Sequence, residues 1–179
     1  KPSSLPGDAA LQFSAVAAAP NLIQALQADG FQVGTDTQVN TNLVTYHYVA
    51  VKNVAGLFKV FTYIGNGVDG TNFDGQGMTP TFCLVKSEAL RVAAGRFSTQ
   101  AGDASFLLNA AQTTNIIQDL HLDGFQVGTN PSVNFNLEDY YGFVLVTGTS
   151  APPTPANAQV HLLLKRRHWV QRDTAAPFL

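Results

Sequence analysis

The chain has 179 residues, of which 45% are apolar and only 12% are Asp, Glu, Lys or Arg, about half the usual charged share of a globular domain. A net charge of −2 supplies no general field for capturing nucleic acid, and the single Cys83 excludes an internal disulfide. No apolar run is long enough to cross a bilayer as a helix, so nothing points to a membrane or a nucleic acid as partner. The polar surface must come mainly from Asn, Gln, Thr and Ser, a composition suited to virion proteins, secreted proteins and subunits that bury much of themselves in an assembly.

Along the chain, Asp8 to Ala19 offers at most a turn or two of helix. Residues 21–35 then share the pattern Asn-x-Ile-Gln-x-Leu-x-x-Asp-Gly-Phe-Gln-Val-Gly-Thr with residues 115–129, at a fixed offset of 94. In the second copy Ile116, Leu120 and Leu122 alternate with Asp119, His121 and Asp123. Asp123-Gly124 is the dipeptide that favours a type I′ turn, and Phe125 and Val127 return on the apolar face. Leu26, Ala28, Asp29-Gly30, Phe31 and Val33 repeat the arrangement. Two equivalent hairpins are predicted, with Gly30 and Gly124 both at positive φ. Leu26, Phe31 and Val33, with Leu120, Leu122, Phe125 and Val127, are expected to be buried, and Asp119, His121 and Gln126 to point outward.

Tyr46 to Val51 and Tyr140 to Val146 are rich in β-branched and aromatic residues and read as central strands. Phe58 to Ile64 and Thr81 to Val85 add two more. Between them, Gly65-Asn66-Gly67-Val68-Asp69-Gly70 matches a dinucleotide fingerprint. The turn-rich Thr71 to Gly77 that follows cannot supply the required helix, so this is read as a loop. Its oxygen donors Asn66, Asp69, Asn72 and Asp74 form a candidate ligand loop, although their spacing departs from the calcium-loop pattern and such residues usually cap their own turns. Asp103 to Gln112 again offers a short helical turn. Residues 149–159, with Pro152-Pro153 and Pro155, read as an extended linker. Beyond it, Val160 to Lys165 resembles Thr81 to Lys86, and Lys165-Arg166-Arg167-His168 is a local basic run, read as solvated.

Catalytic patterns are weak. Of the histidines, His121 aligns with Gln27 and His47 with Tyr141, while His161 and His168 lie near the carboxyl terminus, so the two copies share no candidate base. No Gly-x-Ser-x-Gly elbow occurs, Cys83 sits in an apolar strand, and turn or cap geometry explains Asp8, Asp29, Asp103 and Asp123. The expectation is a protein that is not an enzyme, with no cofactor and no metal. Tyr46, Tyr48, Tyr140, Tyr141 and Trp169 are the aromatics available for a sugar platform.

The echo extends beyond the hairpins. Gly7-Asp8-Ala9 answers Gly102-Asp103-Ala104, Val39-Asn40 with Asn42-Leu43 answers Val133-Asn134 with Asn136-Leu137, and Tyr46 answers Tyr140. This succession resembles a repeat module of phage tail and appendage proteins and of secreted bacterial surface proteins. Such a module opens on a strand like Phe61 to Gly67 and continues through one like Phe82 to Lys86. Leu43 and Leu137 depart from it, standing where a turn residue, commonly Gly, is usual. The resemblance implies structural or adhesive β-modules without an established catalytic set.

The expected architecture is all-β, with two related sandwich or jelly-roll modules. Residues 1–53 form a back half, 54–148 a complete module, 149–159 the linker and 160–179 a front half. The chain is expected to begin and finish partway through a unit, as a segment or processed product. The first module is then completed by the C-terminal segment or by a neighbouring subunit, with Val160, Leu162, Leu163, Leu164 and Trp169 as assembly residues. Identical subunits joined head to tail would build a fibre, appendage or virion, extracellular or virion-borne, with copies of itself as partner. The alternative is an adhesive module that binds glycans or cell surfaces.

Overall fold

Both repeated blocks fold as antiparallel hairpins, β1 (Ile23–Gln27) with β2 (Gly30–Val33), and β8 (Ile117–His121) with β9 (Gly124–Val127). The structure is a computed structural model that describes residues 1–147, a single unit by its internal contacts. The linker 149–159 and the segment 160–179, with Val160, Leu162, Leu163, Leu164 and Trp169, lie outside the described residues.

The described residues are all-β, with one helical turn among them, α1 (Pro131–Asn134). Five strands pair in the order β3 (Phe58–Ile64), β10 (Asp139–Leu145), β5 (Phe82–Ser87), β6 (Ala94–Phe97) and β7 (Phe106–Leu107). A second sheet has the order β4 (Thr71–Phe73), β9, β8, and a third holds only β1 and β2. Apolar residues of the first two sheets meet in one core that includes Phe61, Tyr63, Cys83, Val85, Ile117, Phe125, Val127 and Val144. As expected, the strand from Tyr140 is central, paired with β3 on one side and β5 on the other.

Equivalence of the two blocks extends to individual bonds. Each hairpin breaks register at the same place, between Ile23 and Ala25 and between Ile117 and Asp119. Gly34 N–H donates to Leu22 O at 2.7 Å, as Gly128 N–H does to Ile116 O at 2.7 Å. The loops ahead of the hairpins are not helical, contrary to expectation, and each winds around a cation. Lys1 Nζ donates to the carbonyls of Leu5, Gly7 and Ala9 at 3.0, 2.9 and 2.7 Å. The Arg96 guanidinium donates to those of Gln100, Gly102 and Ala104, each 95 positions on. Arg96 is buried, and the carbonyls that line its loop offset much of the cost of desolvating its guanidinium, whereas Lys1 is half-buried.

Several expectations need correction. The two-residue connections are Ala28-Asp29 and Leu122-Asp123, with Gly30 and Gly124 already in the ladder opposite Gln27 and His121. Leu122 is therefore at a turn and 83% exposed, and Leu26 is half exposed. Leu120, Phe31 and Val33 are only half-buried, whereas Phe125 and Val127 are fully buried. Asp119 points outward, but His121 and Gln126 are half-buried. Gly30 has φ +145°, while Gly124 is not at positive φ. A Cβ at Gly124 would lie 2.2 Å from Phe73 O, so glycine is needed there because β4 runs against it. Finally, Tyr46 to Val51 joins no sheet among the described residues.

Candidate assembly surface

In the second copy a glycine loop, α1 and the hairpin are bonded to one another. Asn134, on α1, is fully buried and uses both ends of its amide. Its Oδ1 accepts from Asn66 N–H at 2.9 Å and Gly67 N–H at 3.2 Å, and its Nδ2 donates to Val68 O at 2.8 Å and Gly128 O at 2.9 Å. One side chain thus clamps the glycine loop onto the hairpin. The loop turns through Gly67 and Gly70, at φ +70° and +69°, and delivers β4 to the outer edge of β9. Side chains repeat the pairing: Gln126 Nε2 donates to Asn72 Oδ1 at 3.0 Å.

Next to the clamp, Leu137 adopts φ +59°, which is uncommon for a residue with a Cβ. That turn lets Leu137 N–H donate to Gly65 O at 2.9 Å, while Gly65 N–H donates to Glu138 O at 2.9 Å. A Cβ at Gly65 would sit 2.2 Å from Phe135 O, so only glycine fits. Behind it, Tyr63 donates to Val133 O at 2.6 Å, and its ring stacks on Phe73 and Tyr140, with centroids at 3.8 and 5.0 Å.

The first copy has the same receiving groups and none of these partners among the described residues. Asn40, counterpart of Asn134, forms a corresponding bond to Gly34 O at 2.7 Å, and among the described residues its Oδ1 accepts no bond. Leu43 keeps the left-handed turn, φ +62°, with no glycine loop against it among the described residues; its side chain, like that of Leu137, is exposed. Leucine at 43 and 137 thus performs the turn for which the resemblance led one to expect glycine. Nothing lies within 4 Å of a Cβ built on Gly30, where its counterpart Gly124 meets Phe73. Among the described residues the outer edge of β2 is unpaired. Tyr48, Val49 and Val51 are exposed, although Tyr48 packs edge-on against Phe31 at 4.9 Å. Its counterpart Gly142 leaves room for Phe61, which lies 4.8 Å from Phe125, so the Tyr48 ring substitutes in part for Phe61.

The four oxygen donors singled out in the sequence do not converge. Asn66 Oδ1 accepts from Val68 N–H and Thr71 Oγ1–H, Asp69 Oδ1 from Gln118 Nε2, and Asn72 Oδ1 from Gln126 Nε2. Asp74 Oδ1 lies 3.6 Å from His121 Nε2. Among the described residues no three His, Cys, Asp or Glu side chains gather as a metal site would require.

Burial pushes the Cys83 thiol well up, so the thiolate needed for nucleophilic attack is disfavoured. Tyr63 is pushed well up by burial, reinforced by Cys83 and Tyr140, and Tyr140 is pushed by burial up to about 12. Lys86, in β5, is brought down to about 8, mainly by burial against the opposing pull of Glu138, and its Nζ donates to the carbonyls of Val16, Ser87 and Ala89.

Comparison with protein-family models, curated proteins and solved structures gives no match. Sequence reading missed the Asn40 and Asn134 amides and the Lys1 and Arg96 loops. The signal was present, since each Asn stands ten residues after the Asp-Gly step of its hairpin and each cation six residues before the Gly-Asp step.

Proposed function

We propose that the chain is a structural repeat protein, a subunit of a fibre, appendage or virion whose copies join head to tail by strand complementation. On this reading the fold comprises two related sandwich-like modules, the second complete and the first a back half. One observation carries it. Tyr46 to Val51 corresponds in sequence to the central strand β10, yet has no ladder partner among the described residues, whereas β10 has one on each side. A row of unsatisfied backbone groups beside exposed apolar side chains favours pairing with another strand.

Val160 to Lys165 resembles Thr81 to Lys86, the segment that contains most of β5, and its pairing with residues 46–51 of a neighbour would give a contact that does not close. The β5 to β10 register sets Lys86 opposite Tyr141, so Lys165 would stand opposite His47. The glycan-binding alternative has less support. Of the aromatics available for a sugar platform, Tyr46 and Tyr48 are exposed but Tyr140 and Tyr141 are buried, and Phe73, the one ring in the loop from Gly65 to Gly77, packs against the core.

Deleting residues 159–179 tests the reading by electron microscopy and thermal melting. Loss of filaments with an unchanged fold is the expected result. Unfolding confined to residues 1–53 would place the pairing inside one chain, and a truncated protein that assembles and melts like the full one would refute both versions.

A further inference from the structure

We propose that the first copy carries a second, separate acceptor site, formed by the β2 edge, the Asn40 amide and the Leu43 turn, for a polypeptide segment resembling residues 63–75. The inference rests on the complementation reading but concerns a different edge and a different occupant. Residues 160–165 resemble a stretch of β5 and carry no glycine, so they cannot make the Gly-x-Gly turn that Asn134 clamps.

The second copy supplies the geometry of the occupant. An incoming Gly-x-Gly loop would give its two N–H groups to Asn40 Oδ1, as Asn66 and Gly67 do to Asn134. Its first glycine would exchange bonds with Leu43 N–H and Val44 O, as Gly65 does with Leu137 and Glu138. A short strand following it would pair with Phe31 and Gln32, as Phe73 and Asn72 pair with Phe125 and Gln126. Val39 O would receive a tyrosine hydroxyl, as Val133 O does from Tyr63. The turn at Leu43 is already formed, so little ordering remains to oppose binding.

The occupant is a segment outside residues 1–179, not a second copy. No Gly-x-Gly occurs in residues 1–57 or 148–179, and residues 65–73 are held by their own hairpin and α1. A copy that donated them would open one site to fill another, with no net gain in contacts.

The test uses the full chain bearing Gln32→Cys and a synthetic peptide of residues 63–75 with Cys at the position of Asn72, in a glutathione redox buffer. Register-specific disulfide trapping is expected, competed by the unmodified peptide. Replacing the peptide's first glycine by Ala should slow trapping at least about tenfold, since its Cβ would collide with a backbone carbonyl. Because this change lies in the probe, the protein's own folding is untouched. Equal trapping of both peptides, no trapping, or preferential capture by a Gln126→Cys chain would overturn the proposal. Interchain disulfides in a Gln32→Cys, Asn72→Cys chain without peptide would overturn the choice of occupant. Trapping that persists after deletion of residues 159–179 is expected. If that deletion leaves filaments intact, the C-terminal pairing fails while this site stands.

Discussion

Tyr46 and Tyr140, 94 positions apart, make the same two hydrogen bonds and differ only in what covers them. Tyr46 donates to Thr37 O at 2.7 Å and accepts from Thr41 N–H at 3.0 Å, and Tyr140 donates to Pro131 O at 2.6 Å and accepts from Phe135 N–H at 2.8 Å. Tyr140 is fully buried and Tyr46 is 40% exposed. The local loop therefore forms in both copies, and the difference lies in the strands around it.

Removing the hydroxyl should separate the two sites. Tyr140→Phe strands a carbonyl and an N–H in a dry setting and should cost about 1 to 3 kcal/mol, whereas water can replace the hydroxyl of Tyr46 and Tyr46→Phe should cost less than about 1 kcal/mol. Urea denaturation of both variants measures this, and equal losses would mean that the first copy is covered in solution.

A second pair makes the same contrast in the core. Phe125→Ala should cost about 3 to 5 kcal/mol, and Phe31→Ala, at a half-buried site, roughly half of that. Assembly should raise the cost at Phe31, which can be checked by melting Phe31→Ala above and below the concentration at which filaments form.

These contrasts show what the sequence made legible. The hairpins were readable because Asp-Gly and period-two alternation are local properties. The positions of the turns were off by one residue, and a register break at Gln24 and Gln118 undid the simple alternation, leaving Ile116 and Ile117 both buried. The strand at Tyr46 was expected from composition, but composition specifies an extended chain and not its neighbours. α1 was missed, though Asn130-Pro131 is a capping signal, with Asn130 Oδ1 accepting from Ser132 N–H. The repeated spacing of Asn40 and Asn134 was legible, but the clamp was not, because the Asn66, Gly67 and Val68 groups that Asn134 holds lie more than 60 positions away.

Alkaline unfolding should follow from Tyr63 and Tyr140. Both hold their protons more tightly folded than unfolded, so their contribution is complete below pH 10, the ordinary tyrosine value. It is lost as pH rises through about 12, the value for Tyr140. Stability measured by urea titration should decline across that interval, with a smaller decline in Tyr140→Phe. A flat profile would show that neither ring is buried.

Cys83 should be silent toward a disulfide reagent in the native protein and react once urea unfolds the chain, since burial keeps the thiol protonated and inaccessible. Rapid native labelling would contradict the position of β5 in the core.

Amide hydrogen exchange of residues 45–51, followed against protein concentration, tests strand complementation most directly. These amides should exchange freely in dilute protein and gain protection as filaments form, approaching that of residues 139–145. Free exchange in the filament, or the same protection at every concentration, would contradict assembly through this strand.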